Sequence, residues 1–185
     1  NLLQARQAFE QIPWIRSALV RREFPNRLSV TLDELQPVAL WGFEGDGKFL
    51  SVEGAIFEVN ADDVDSESLP LLKGPESQAK TVLEMYKFLK PMLAKMDMAL
   101  DRLELSQRGS WTAQLATGAT LELGQGTHQE ISDRLQLFFK TLTQVASRYG
   151  RTVTSLLSAD LRYDNGYALR LRGVSTVVPD GLKKP

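Results

Sequence analysis

Between residues 100 and 123 the chain alternates apolar and polar residues in three short runs, Leu100 to Leu105, Ser110 to Leu115 and Ala119 to Leu123. Successive strand side chains point to opposite faces, so this alternation marks strands with one buried face. Gln107-Arg108-Gly109 and Thr117-Gly118 supply turns between them, which makes the three runs an antiparallel meander. Its apolar face has to be covered by another layer. Two long stretches of helical periodicity flank it. Upstream, Val82, Leu83, Tyr86, Leu89, Leu93 and Met96 recur at helical spacing, with Ser77 as N-cap. Pro91 inside that stretch predicts a kink or a break. Downstream, Gly124-Gln125-Gly126 opens a helix from Gln129 to Tyr149 with Ile131, Leu135, Phe138, Phe139, Leu142, Val145 and Tyr149 inward, ended by Gly150. The predicted class is α+β: a mostly antiparallel sheet packed by two long helices.

The rest of the chain adds elements at both ends. Leu2, Leu3, Ala5, Phe9 and Ile12 have near-helical spacing, and Pro13 stops that helix. Trp14 to Phe24 reads as a strand, Pro25-Asn26 as a turn, and Arg27 to Leu35 as a second strand with Leu28, Val30 and Leu32 on one face. This small unit is short of core by itself. The chain opens without Met, inside a helical pattern, and is expected to be a fragment that lacks preceding elements. Gln36-Pro37 reads as a boundary. Val38 to Trp41, Lys48 to Ser51 and Ala55 to Val59 are short strands around Gly-rich turns. Asp62, Asp63, Asp65 and Glu67 offer oxygen ligands, yet their spacing does not follow a Ca²⁺ loop, so they read as a solvated loop or helix start. Leu69 to Ser77 leads into the first long helix. Met85, Met92, Met96 and Met98 read as core filler. Ser155 to Tyr163 is a strand, followed by Asp164-Asn165-Gly166, a tight hairpin signal, and a last run from Tyr167 to Arg172. No later segment is suited to pair with that run, which makes it a sheet edge, and an edge is either protected or receives a partner strand.

Composition narrows the function. The 185 residues suit one medium domain or two small ones, and 43% hydrophobic content suits a packed core. A net charge of −1 argues against a general nucleic-acid binder. With no Cys there is neither a disulfide framework nor a thiolate site. No run approaches the roughly 20 apolar residues of a membrane span. The single histidine, His128, falls in the first turn of a helix with no nucleophile elbow near it, and zinc would need further ligands. Gly124-Gln125-Gly126 starts like a dinucleotide fingerprint, but Gln129 stands at the third glycine position and the preceding strands form a meander. The chain therefore shows no catalytic constellation and implies no cofactor or metal.

Three ordered stretches carry a family likeness: Ile12-Pro13-Trp14-Ile15 through Val20-Arg21-Arg22-Glu23-Phe24-Pro25-Asn26-Arg27-Leu28 to Glu34-Leu35-Gln36-Pro37-Val38-Ala39-Leu40-Trp41, then Leu69-Pro70-Leu71-Leu72-Lys73-Gly74-Pro75-Glu76, then Asp160-Leu161-Arg162-Tyr163-Asp164-Asn165-Gly166. In this order and spacing, over nearly the whole chain, they resemble the bacterial FtsQ/DivIB cell-division family. The resemblance implies the C-terminal part of a POTRA domain at 1–37, the family's β domain at 38–178 and a tail at 179–185. It implies a non-enzymatic divisome scaffold, held in the cell inner membrane by an N-terminal helix absent from this chain, with the present part in the periplasm. Such a scaffold brings FtsB and FtsL to the septum and helps regulate septal peptidoglycan synthesis.

The resemblance also implies a partner-binding surface on the last strands, where an FtsB segment adds to the sheet edge. Carried over, the contacts are Arg162, Tyr163, Asn165 and Gly166, with Leu169 and Leu171 from a less closely matching end. Arg108, ahead of Trp111, matches a second family arginine, and the two arginines face an acidic residue of FtsB. Guanidinium suits that role because it stays charged and binds a carboxylate bidentately. Ser17, Val20 and Arg22 fall on the POTRA strand that the family links to recruitment. Asn165 stands where Ser is common, and Phe24 where Trp is common. The alternative reading is a POTRA-bearing component of outer-membrane protein assembly or secretion, which would call for POTRA repeats or a transmembrane barrel.

Overall fold

A computed structural model describes residues 1–59, 66, 68–163 and 166–174. The first unit is small. Helix α1 (Leu2–Glu10) lies on an antiparallel pair, β1 (Ile15–Glu23) and β2 (Arg27–Glu34). The helix caps itself with Asn1, and Arg6 pairs with Glu10 one turn on. Leu28, Val30 and Leu32 alternate as expected but stay 57%, 41% and 38% exposed. Only Ile15 and Ala18 of this unit are buried, because one short helix cannot cover the strand face.

Among the described residues the larger unit is a nine-stranded sheet. Its members are β3 (Pro37–Trp41), β4 (Lys48–Ser51), β5 (Ile56–Glu58), β6 (Leu71–Lys73), β7 (Leu100–Leu105), β8 (Trp111–Leu115), β9 (Thr120–Gly124), β10 (Leu156–Asp160) and β11 (Ala168–Leu171). The spatial order is β11-β10-β9-β8-β7-β6-β3-β4-β5. Most neighbours are antiparallel; β3–β6, β6–β7 and β9–β10 are parallel. A parallel pair needs a crossover, and the two long helices supply two of them. Helix α2 (Ala79–Ala94) joins β6 to β7, and α3 (His128–Arg148) joins β9 to β10. Both crossovers step the same way across strands of the same direction, so the right-handed rule places both helices on one face.

That face holds the core. Trp111, Ala113 and Leu115 of β8 and Leu121 and Leu123 of β9 point into it. They meet Val82, Met85, Leu89 and Leu93 of α2 and Ile131, Leu135, Phe138, Leu142 and Ala146 of α3. Each fully buried large apolar side chain contributes about 1.5–3 kcal/mol. The opposite face is half-buried and polar, with Thr112 donating to Glu122 at 3.0 Å. Met85 and Met98 are buried in the core, with Met92 and Met96 packed against it.

Several expectations need correction. Leu71–Lys73 is not a lead-in to the helix but a central strand, hydrogen-bonded between β3 and β7. Ser77 does not cap α2, because Glu76–Gln78 forms a 3₁₀ turn and the capping position is Gln78. Pro91 does not break α2, which runs on to Ala94. Tyr149 is 53% exposed, because the helix has already left its regular geometry there. The acidic cluster Asp62, Asp63, Asp65 and Glu67 lies outside the described residues.

Candidate functional site

Strand β11 pairs antiparallel with β10 and closes one end of the sheet order among the described residues. The expected pairing of the last two strands is present, while Asp164 of the expected turn falls outside the described residues. Asp160 pairs with Ala168, so the whole stretch 161–167 lies between the strands. Asn165 falls outside the described residues. Gly166 and Tyr167 are half-buried, and the Tyr167 ring meets Phe138 of α3 edge-on at 5.1 Å. Its hydroxyl shares a 2.7 Å hydrogen bond with Thr141. These contacts staple Tyr167 to α3.

The N–H of Arg172 donates back to Ser155 across the β10–β11 pair. In an antiparallel ladder the backbone groups alternate in direction, so the N–H groups of Leu169 and Leu171 point away from β10. The Leu171 side chain is buried at 3% exposure, whereas Leu169 is half-buried. Among the described residues the edge thus offers main-chain donors and acceptors, while its apolar side chains anchor it to the core.

Arg162 lies two residues beyond the end of β10. Its Nε and Nη2 donate to the two carboxylate oxygens of Asp160, at 2.8 and 2.6 Å, and its backbone N–H donates to Oδ1 at 3.1 Å. Asp160 and Arg162 share a side because they are two residues apart on an extended chain. The guanidinium carries five N–H donors, so its Nη1 group remains for a second carboxylate. Tyr163 beside it is 58% exposed. The Arg162 donors hold the Asp160 carboxyl below its ordinary value, offset in part by loss of solvent. The pair in turn raises Arg162, which stays charged at every accessible pH.

A depressed native value stabilises the fold above the unfolded pKa and fades as pH falls through the native one. The Asp160–Arg162 pair is therefore expected to hold at neutral pH and to come apart only below the ordinary aspartate value of 3.8. The nitrogen-15 resonance of Arg162 Nε reads this directly. Movement already complete by about pH 5 would refute the pairing.

A hollow of about 480 Å³ brings Arg162 together with Arg108, Arg134, Gly124, Gln125, Ser106 and Ser110. It lies at the end of the sheet where β7, β9 and β10 finish and the loop to β11 begins. Arg108, from the β7–β8 turn, and Arg162 are 54 positions apart in sequence, and the sheet makes them neighbours. Among the described residues neither Arg108 nor Arg134 has a carboxylate partner within ion-pair distance, so Asp160 is the one acidic group paired to this trio. Arg134 had no place in the sequence reading. Its signal was a long cation one turn after Glu130, the capping-box residue of α3, on a face that leans back toward β9.

The other expected residues are not gathered here. Ser17, Val20 and Arg22 all lie on β1, with Val20 and Arg22 on one face and Ser17 on the other by strand alternation. His128 is exposed and packs edge-on against Phe88 at 4.9 Å. Among the described residues no group of acidic, His or Cys side chains is arranged to hold a metal ion, and no helix is long and apolar enough to cross a membrane.

The family model described as "Cell division protein FtsQ/DivIB, C-terminal" matches residues 39–162, and "POTRA domain, FtsQ-type" matches residues 1–34. The cell division protein FtsQ of Burkholderia pseudomallei is 39% identical over 171 residues, covering 92% of this chain and 66% of that protein. The FtsQ of Thiomonas arsenitoxydans is 36% identical over 176 residues, covering 94% and 64%. The FtsQ of Escherichia coli is 32% identical over 169 residues, covering 91% and 59%. The chain thus spans somewhat less than two thirds of these relatives' length. Its α+β fold has a POTRA-type start.

Proposed function

The chain belongs to the FtsQ/DivIB family of cell-division proteins, and on that premise we propose that it is a non-enzymatic divisome scaffold that receives a partner strand at β11. The observation that carries this reading is the pairing of an edge strand with an arginine hollow at its beginning. A partner adding to β11 would form main-chain bonds with the outward groups of Leu169 and Leu171. An acidic side chain on that partner would reach the Nη1 side of Arg162 and the guanidinium of Arg108. The occupant we favour is an FtsB-like segment, a helix followed by a strand, with FtsL recruited alongside it. Tyr163, Asn165 and Gly166 would frame the strand's entry.

In this reading residues 1–37 are the C-terminal part of the POTRA domain, with Ser17, Val20 and Arg22 on its recruitment strand, and residues 38–178 are the β domain. The scaffold works in the periplasm at the septum, tethered to the inner membrane, and couples partner assembly to septal wall synthesis. The match of residues 39–162 to a division-protein domain favours this over a role in outer-membrane protein assembly.

Titration with a peptide spanning the helix and strand of an FtsB-like partner tests the reading. Arg162→Ala is expected to weaken binding by about ten- to a hundredfold, the range for a lost charge-assisted hydrogen bond of about 1.5–3 kcal/mol. Equal affinity for the two proteins would remove Arg162 from the interface.

A further inference from the structure

One short turn touches both of the arginines proposed to meet the partner. Gly124 ends β9 and Gln125 follows it. Gly124 has φ +77°, and a Cβ built on it would sit 2.9 Å from Cγ of Arg162 and 3.4 Å from Nη1 of Arg134. The Arg162 stem therefore rests directly on the backbone of Gly124. Gln125 reaches the other way, its Nε2 donating to the backbone carbonyl of Arg108 at 2.6 Å. The turn itself is held from α3. Nη1 of Arg134 donates to the carbonyls of Leu123 and Gln125, both at 2.7 Å, bridging the residues on either side of Gly124.

We propose that Arg134 is the positioning residue of the arginine hollow, fixing the Gly124-Gln125 turn so that Arg108 and Arg162 converge on one carboxylate of an acidic peptide. This rests on the reading of the hollow as part of the partner site. The physical reason is that two long cationic side chains on separate loops repel each other and lose much rotamer freedom when they converge. A rigid frame between them removes part of that cost before the ligand arrives. Arg134 meets the need because one nitrogen with two hydrogens satisfies two carbonyls at once. Two of its five N–H donors are spent on the backbone, which ties Arg134 to the turn. Sequence separation hides the arrangement, since the three arginines come from a β-turn, a helix and the segment after a strand.

The test compares Arg134→Met, Arg134→Lys and Gln125→Ala with the unaltered chain. The probe is the FtsB-like peptide in two forms, one with its Glu residues and one with Gln in their place. Arg134→Met is expected to weaken the acidic peptide about tenfold and leave the neutral one unchanged. Arg134→Lys, which keeps one nitrogen able to bridge both carbonyls, should restore most of the loss. Gln125→Ala should reproduce the part that runs through Arg108. Equal losses for both peptides, or a loss that follows a lowered melting temperature, would overturn the proposal. A second measurement needs no partner. In nitrogen–proton spectra of the free protein, the Arg108 and Gly109 amides and Arg162 Nε should shift in Arg134→Met, and the Arg108 and Gly109 amides also in Gln125→Ala. Unshifted resonances would overturn the positioning role even if the peptide binds. If neither peptide binds the unaltered chain, the scaffold reading fails, and the spectra alone decide the frame. If Arg134→Met does not fold, Arg134→Gln takes its place in both measurements.

Discussion

Leu169→Pro is expected to lower the affinity for a strand-forming partner by on the order of a hundredfold while the fold survives. Two effects combine. The substitution removes an N–H that points away from β10, so the incoming strand is left with a carbonyl lacking its donor, at about 1–3 kcal/mol. The pyrrolidine ring also stands where the added strand must approach. The fold tolerates the change because proline is accepted on edge strands whose donor faces outward. Leu169 is half-buried, so some packing is lost, and about 1 kcal/mol of that shifts the melting temperature by roughly 2–4 °C. Arg170→Pro is the matched control. Its N–H faces β10, as that of Arg172 does, so the change breaks the ladder between the last two strands and destabilises the protein. Calorimetric titration paired with thermal melting separates the two variants. If Leu169→Pro binds as tightly as the parent, the partner does not add to β11.

Phe138→Ala should produce the largest loss of stability, about 3–5 kcal/mol, the usual range for a fully buried phenylalanine. Phe138 has no exposed surface and stands in the middle of the buried stripe of α3. Its ring also carries the edge of Tyr167, so the cavity opens directly beneath the loop that leads to β11. Denaturant melting gives the total, and hydrogen exchange across residues 166–171 shows whether the loop loosens with it. Tyr167→Phe keeps the ring and removes only the bond to Thr141, for which about 1 kcal/mol is expected. A loss below about 1 kcal/mol for Phe138→Ala would mean that α3 repacks and that the staple is not anchored as described.

The two long helices and the meander were legible because each carries its own period over enough residues to be unambiguous. The boundaries of Leu100–Leu105 were read directly, and α3 begins within one residue of its expected start. Strand β6 was not legible. Three residues, Leu71–Lys73, cannot display a period, and a central parallel strand lacks the alternation of a half-buried one. The Ser77 cap failed because a 3₁₀ turn takes up the first residues before α2 settles into α-helical bonds. Two contacts beside Asp164-Asn165, which lie outside the described residues, are not announced by the sequence: the Asp160–Arg162 pair and the Tyr167 staple.

The sequence by itself determined the α+β class, the two covering helices and the three-stranded meander between them. Its motifs also pointed to Arg108 and Arg162, one through Trp111 and one through the Leu-Arg-Tyr run. These are local properties, written in spacing and residue type. Only the tertiary structure decided that the two arginines share a hollow, that Asp160 already holds one side of Arg162, and that Arg134 braces the turn between them. The reason is distance along the chain. Crossover through α3 makes β10 the neighbour of β9, and that single pairing brings residues from three separate segments within reach of one another.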